Sequence, residues 1–125
     1  MGYNPPMPKI QLKRVYEPAA AGDGTRILVE RLWPRGLSKD KAALDHWLKD
    51  VAPSPELRRW YGHEPERWPA FQERYRAELA AAPEALARLE ALCAEGPVTF
   101  VFAAKDQARN SAVVLRDLLA KRSRG

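Results

Sequence analysis

Basic side chains follow the two most apolar stretches of the chain, and their types and spacing suggest an anion-binding site. Residues 27–29 (ILV) are followed by Arg31, Trp33, Arg35 and Lys39, and residues 98–104 (VTFVFAA) are followed by Lys105, Asp106, Arg109 and Asn110. Guanidinium groups form paired hydrogen bonds with phosphate or carboxylate, and a lysine ammonium adds a compact positive charge. We therefore expect these residues to bind a small phosphate- or carboxylate-bearing ligand, with Trp33 lining the pocket and stacking on a ring.

Two residues are candidates for moving a proton. Asp106 is a candidate general base, but an acid beside two basic residues is equally suited to a salt bridge. His63 lies in a loop between two tryptophans, and histidine is the side chain best suited to proton transfer near neutral pH. A histidine there is equally suited to capping a helix. The structural alternative to the anion site is an internal ion pair of Arg31 with Glu30 or Asp106.

The elements that must position these residues follow from hydrophobic spacing and from the prolines and glycines. Strands are predicted at residues 10–16, 27–33 and 98–104, and helices at 38–51, 55–61, 66–82, 86–95 and from Asn110 onward. The turn at 18–25 is too short for a crossover helix, so we expect an antiparallel hairpin between the first two strands. The order of elements indicates an α/β domain, with a small mixed or parallel sheet surrounded by helices in a three-layer-like arrangement.

In sheets of this kind, ligands bind beyond the carboxyl ends of the strands, where loops and helix starts meet. Both basic segments come directly after a strand and lead into a helix. If the two strands are neighbours, five cations converge on one pocket: Arg31, Arg35, Lys39, Lys105 and Arg109.

The composition limits the class of protein. The chain has 125 residues, 46% hydrophobic and 30% charged, which is typical of one soluble globular domain. A single cysteine allows no internal disulfide and indicates a reducing compartment, so we expect a cytoplasmic protein. Two histidines and one cysteine are too few for a structural zinc site, and no metal is predicted. No apolar run reaches membrane-helix length, and the N-terminus lacks a signal peptide's apolar stretch, so no membrane partner is expected.

The formal net charge of +5 leaves a second class of function open. We expect a flexible arm at residues 1–8, one domain at 9–120 and a basic tail at 121–125. The basic C-terminal helix and exposed aromatic residues are also compatible with a nucleic-acid-binding or regulatory module. A third reading is an interaction protein that docks a partner through Trp60, Tyr61 and Trp68. The sequence indicates no particular cofactor or oligomeric state, and leaves open whether the ligand is turned over.

Four segments together form a recognisable pattern: KRVY at 13–16, ILVERLWPRG at 27–36, APSPELR at 52–58, and AAKD at 103–106 with Asn110. This pattern resembles the YeaO-like branch of the family catalogued as domain of unknown function 488, from about residue 9 to residue 119. The resemblance implies a small bacterial protein with an α/β fold, and it implies no particular activity. Relatives usually carry aspartate in place of Glu30, and many carry histidine or glutamine in place of Arg109. The resemblance therefore assigns no general base at position 109.

Overall fold

The computed structural model describes residues 10–124, and at its centre lies a four-stranded parallel sheet. The strands are β1 (Ile10–Arg14), β2 (Thr25–Leu28), β3 (His46–Trp47) and β4 (Val98–Phe102). Their order is β1-β4-β2-β3, and every neighbouring pair is parallel. All four carboxyl ends therefore lie at the same edge of the sheet. The predicted α/β class with a small parallel sheet is confirmed, and the predicted arm at residues 1–8 lies outside the described residues.

The predicted antiparallel hairpin between the first two strands is wrong. β4 lies between β1 and β2, and both of these strands begin opposite Val98. Residues 15–24 therefore return across one face of the sheet before β2 begins. Side chains hold this crossing in place, because Lys13 pairs with Asp23 at 3.2 Å and the Thr99 hydroxyl donates to the Asp23 carbonyl at 2.7 Å. These contacts secure a crossing too short to contain a crossover helix.

Five α-helices and three short 3-10 helices complete the fold of the described part of the chain. The helices are α1 (Lys39–Ala42), α2 (Pro55–Tyr61), α3 (Trp68–Ala80), α4 (Pro83–Ala94) and α5 (Ser111–Arg124). The predicted caps are confirmed at Ser38, which accepts from the N–H of Lys41, and at Asn110, which accepts from the N–H of Val113. No helix within residues 10–124 is long and apolar enough to span a bilayer.

The helix predicted over residues 38–51 is wrong beyond Ala42. Ala43 adopts a left-handed backbone conformation, with φ of 49°, and ends α1. The chain then pairs with the open side of β2. Asp45 donates its N–H to the Arg26 carbonyl at 2.9 Å, and its carboxylate accepts from the Arg26 N–H at 2.8 Å. Hydrogen bonding to the backbone of β2 therefore determines the structure here, although the apolar residues of this segment have helical spacing.

The two faces of the sheet are covered differently. Helices α2 to α5 pack on one face, where the largest fully buried side chains include Tyr75, Phe100, Phe102 and Leu115. A smaller cluster of Val15, Leu28, Ala42 and Val101 lies on the other face, under α1 and the connecting segments. The larger helices therefore meet the carboxyl edge of the sheet from one side only.

Candidate functional site

A pocket of about 280 Å³ lies at the carboxyl ends of β2 and β4, and we refer to it as the strand-end pocket. It is lined by Glu30, Arg31, Ala52, Pro53, Arg58, Tyr61, His63, Ala103, Ala104, Arg109, Asn110 and Ser111. The amino end of α5 meets this space, and the first turn of a helix carries N–H groups without helical partners. This is the position at which open parallel sheets bind ligands. Its volume suits a small ligand, because it lies just below the range of about 300–1,000 Å³ for pockets that bind drug-sized ligands.

The structure brings together only part of the residue set suggested by the sequence. Arg31, His63, Arg109 and Asn110 line the strand-end pocket, whereas Trp33, Arg35, Lys39, Lys105 and Asp106 are not among its lining residues. The five cations therefore do not converge as a group.

Trp33 and Lys39 lie instead at a separate hollow of about 220 Å³, which also contacts His46. Trp33 donates its indole N–H to the Leu37 carbonyl at 2.6 Å, and its ring meets Trp47 edge-on at 5.4 Å between centroids. These contacts place the Trp33 ring in the smaller core cluster, against the face of the sheet opposite to α2–α5.

Glu30 is the only acidic side chain among the described residues that line the pocket. Its Oε1 accepts a hydrogen bond of 3.2 Å from the N–H of Ala103. The guanidinium of Arg14 donates hydrogen bonds of 3.0 Å to the carbonyls of both Ala103 and Ala104, and so holds this segment in place. Burial raises the pKa of Glu30 above its usual value, although the Ala103 N–H and the nearby charges of Arg58 and His63 act in the opposite direction.

Arg31 is held by backbone carbonyls rather than by an acid. Its Nε donates to the Pro53 carbonyl at 3.0 Å, and Nη2 approaches the Ala52 carbonyl at 3.5 Å. Neither of the ion pairs considered for it, with Glu30 or with Asp106, is present. Because the carbonyls carry no full charge, the positive charge of Arg31 is not neutralised by its partners.

Asp106 organises the loop that leads into α5. Its Oδ1 accepts from the N–H groups of Ala108 at 2.9 Å and Arg109 at 3.0 Å, and its other oxygen lies 3.4 Å from the Arg109 guanidinium. The two backbone N–H groups hold the pKa of Asp106 below its usual value. A carboxylate held in this way is a weaker base than usual. Asn110 donates to the Asp106 carbonyl at 3.0 Å while it caps α5, so its amide nitrogen and its amide oxygen each have a protein partner.

Arg58 is the pocket arginine with the fewest hydrogen-bond and ion-pair partners within the described residues. It is exposed on α2, and no residue within 10–122 forms a hydrogen bond or an ion pair with its guanidinium. Its charge acts on Glu30 across the pocket. An arginine that lacks a protein partner and faces a pocket is available to a ligand.

Tyr61 and His63 form the wall on the α2 side. Tyr61 is only 6% exposed, and its ring packs on Phe71 at 4.6 Å between centroids. Its hydroxyl has no partner among residues 10–122, and no side-chain polar atom there is both buried and unpaired, so this hydroxyl opens to the pocket. His63 is exposed, with φ of 59°, and its ring lies 6.1 Å from that of Tyr61. His63 caps no helix, since the residue that ends α2 is Gly62.

Sequence reasoning missed Arg58 and Ser111 as pocket residues, treated Glu30 only as an ion-pair partner and Tyr61 only as a docking aromatic. These residues were missed because the sequence prediction has a helix, and no strand, at the position of β3. Because β3 is parallel to β2, the chain leaves it at the carboxyl edge, and α2 begins there a few residues later. A strand predicted at residues 46–47 would have placed Arg58 and Tyr61 beside this edge.

Comparison with known proteins identifies relatives of this chain over nearly its full length. Residues 9–124 match the family described as the inactive DUF488-N3 subclade. The Escherichia coli (strain K12) protein YeaO is 46% identical over 110 residues, which are 88% of this chain and 96% of YeaO. Proteins of Mycobacterium bovis and Mycobacterium tuberculosis (H37Rv) are 47% identical over 111 residues, covering 89% of this chain and 93% of theirs. All three relatives are described as uncharacterised, and no solved structure matches the chain.

Proposed function

The chain belongs to the DUF488 family, in the subclade described as inactive, and from this premise we propose that it binds a small phosphate- or carboxylate-bearing ligand in the strand-end pocket. The observation that carries the proposal is the position of Arg58, an arginine with no partner among residues 10–122, at a pocket that also meets the amino end of α5. Guanidinium groups and helix amino ends both favour anions.

The charge balance of the lining supports an anionic ligand. Arg31, Arg58 and Arg109 contribute three positive charges, and Glu30 contributes one negative charge. Of these three arginines, only Arg109 has an acidic partner within the described side chains, at 3.4 Å, and that pair is exposed to solvent. Exposed pairs of this kind are weak, so a ligand competes for Arg109 at little cost.

Binding without turnover is the better supported form of the proposal. Of the two candidates for proton transfer, Asp106 does not line the pocket, and its carboxylate is occupied by the N–H groups of its own loop. His63 does line the pocket, but it is exposed and has no hydrogen-bond partner among residues 10–122 to orient its ring. The description of the subclade as inactive agrees with a pocket that retains cations and lacks an oriented acid–base pair.

The nucleic-acid alternative has less support from the surface. Arg122 of the basic C-terminal helix forms two hydrogen bonds with Glu90, at 3.0 and 3.1 Å. The ring of Trp60 is covered by the guanidinium of Arg74 at 4.0 Å, and Arg67 lies at 5.5 Å. Arg122, which would contact phosphates, and Trp60, which would stack on bases, are thus engaged within the protein.

Titration calorimetry with inorganic phosphate at low ionic strength tests the proposal. Arg58→Gln is expected to raise the dissociation constant about tenfold, since one charge-assisted hydrogen bond contributes about 1.5–3 kcal/mol. Arg59→Gln is the matched control, because Arg59 is an exposed neighbour on α2 that does not line the pocket. The control is expected to change the constant less than twofold. Equal effects of the two substitutions, or no binding by the unsubstituted protein, would contradict the proposal.

A further inference from the structure

The inner wall of the strand-end pocket carries two polar atoms without a hydrogen-bond partner among residues 10–122. Glu30 uses Oε1 for the Ala103 N–H, and no group within residues 10–122 donates to its second oxygen. The Tyr61 hydroxyl likewise lacks a partner, although the residue is only 6% exposed. Because this hydroxyl opens to the pocket, it is free to form a hydrogen bond with a ligand there.

A bare anion does not complement this wall. The free oxygen of an ionised Glu30 repels a phosphate or carboxylate oxygen placed against it, whereas Arg58, Arg109 and the amino end of α5 attract one. The attractive groups and the acceptor are all lining groups of the same pocket. A ligand that fits every one of them needs an anionic group for the cations and a hydrogen-bond donor for Glu30.

A hydroxyl meets the second requirement better than an ammonium. The Tyr61 hydroxyl both donates and accepts, so a ligand hydroxyl can accept from Tyr61 while it donates to Glu30. An ammonium ion donates only, and it would add a positive charge to a pocket that already contains three arginines. A pocket of about 280 Å³ also leaves room beyond the phosphate group for a short hydroxylated chain.

We propose that the ligand of the strand-end pocket is a hydroxylated phosphate ester of the sugar-phosphate class, whose hydroxyl bonds to Glu30 and Tyr61 and whose phosphate lies at Arg58, Arg109 and the amino end of α5. This inference rests on the proposed function and specifies its ligand. It gives Glu30 the role of a specificity-determining residue.

Glycerol 3-phosphate and propyl phosphate provide a matched pair of probes, because they share the phosphate ester and the three-carbon chain and differ only in the hydroxyls. Calorimetry on the unsubstituted protein is expected to show that glycerol 3-phosphate binds about tenfold more tightly, as one hydrogen bond to a charged group predicts. Glu30→Gln is expected to tighten propyl phosphate binding, because the repulsion is removed, and to reduce the preference to threefold or less. Glu73→Gln, on an exposed part of α3 away from the pocket, is expected to leave both affinities unchanged.

The outcomes separate this inference from the proposed function. Equal affinity of the two probes for the unsubstituted protein, or an unchanged preference in Glu30→Gln, overturns the hydroxyl requirement while anion binding stands. Binding of neither probe overturns both. The comparison on the unsubstituted protein needs no variant, so it holds even if Glu30→Gln fails to fold.

Discussion

The carboxylate of Glu30 accepts a hydrogen bond of 3.2 Å from the backbone N–H of Ala103, which ties the segment after β2 to the segment after β4. Arg14, at the end of β1, donates to the Ala103 carbonyl at 3.0 Å and holds the same residue from the other side. Three strand ends are thereby connected through one residue, Ala103. Glu30 and Ala103 both line the strand-end pocket, so this connection forms part of its wall.

The first prediction concerns the cost of ionising Glu30 in the folded protein. Burial raises the pKa of Glu30 above 4.5, against the opposing effects of the Ala103 N–H and of Arg58. The folded state therefore holds the proton more tightly than the unfolded state. The corresponding stability is fully present below pH 4.5 and is lost as the pH rises through the folded-state pKa.

Glu30→Gln is consequently expected to be more stable than the unsubstituted protein at neutral pH, because glutamine keeps the acceptor for Ala103 and carries no charge. The difference should disappear below pH 4.5. Urea unfolding at several pH values measures it, with Glu73→Gln as the control. A stability difference that does not vary with pH would contradict this account of Glu30.

The second prediction contrasts the same substitution at two buried tyrosines. The Tyr75 hydroxyl donates to the Val51 carbonyl, so Tyr75→Phe leaves a buried acceptor unpaired and is expected to cost about 1–3 kcal/mol of unfolding free energy. Tyr61→Phe removes a hydroxyl without a protein partner and is expected to change stability by less than about 0.5 kcal/mol. Its affinity for glycerol 3-phosphate should fall about three- to tenfold.

Thermal unfolding and calorimetry on the two variants make this comparison. If Tyr61→Phe lost as much stability as Tyr75→Phe, the Tyr61 hydroxyl would have a partner within the protein. If its affinity were unchanged, the hydroxyl would not contact the ligand.

The third prediction concerns Asp106, whose charge competes with a ligand for Arg109. Asparagine retains an oxygen that accepts from the N–H groups of Ala108 and Arg109, so the loop should keep its conformation. Removing the negative charge is expected to tighten phosphate binding about threefold, as an exposed pair is weak.

Asp117→Asn is the control for Asp106→Asn, because Asp117 is an exposed acid further along α5 that pairs with Arg116 and lies outside the pocket. Phosphate titrations of both variants at low ionic strength give the comparison. Weaker binding in Asp106→Asn would indicate that the carboxylate itself contributes to the site.

The fold was predictable wherever local signals and long-range pairing agree. The strand at residues 98–102 is buried on both faces, and Asn110 caps the helix after it, as expected for a buried strand followed by a capped helix. Residues 43–48 differ, because their apolar spacing is helical while β2 needs a partner along its open side. The spacing of apolar residues within 43–48 carries no information about this strand pairing, because the pairing depends on residues about twenty positions earlier.

The site was predictable to a similar extent. Strand ends and helix starts indicated the right edge of the sheet, and with it Arg31, Arg109 and Asn110. Lys39 and Trp33 follow the same strand, and the sequence therefore predicts them at this edge as well. After residue 32, however, the chain passes under the opposite face of the sheet, so both residues lie outside the strand-end pocket. Proximity in sequence to a strand end therefore locates a pocket without deciding which side chains enter it.

Mapping the backbone amide signals by NMR during a titration with inorganic phosphate tests the central claim most directly. The account predicts that the amides of Ala103, Arg109 and Ser111 shift most, in a saturable manner, and that those of Lys39 and His46 at the separate hollow do not move. Shifts centred on that hollow, or spread evenly over the basic surface, would contradict the placement of an anion at the carboxyl ends of β2 and β4.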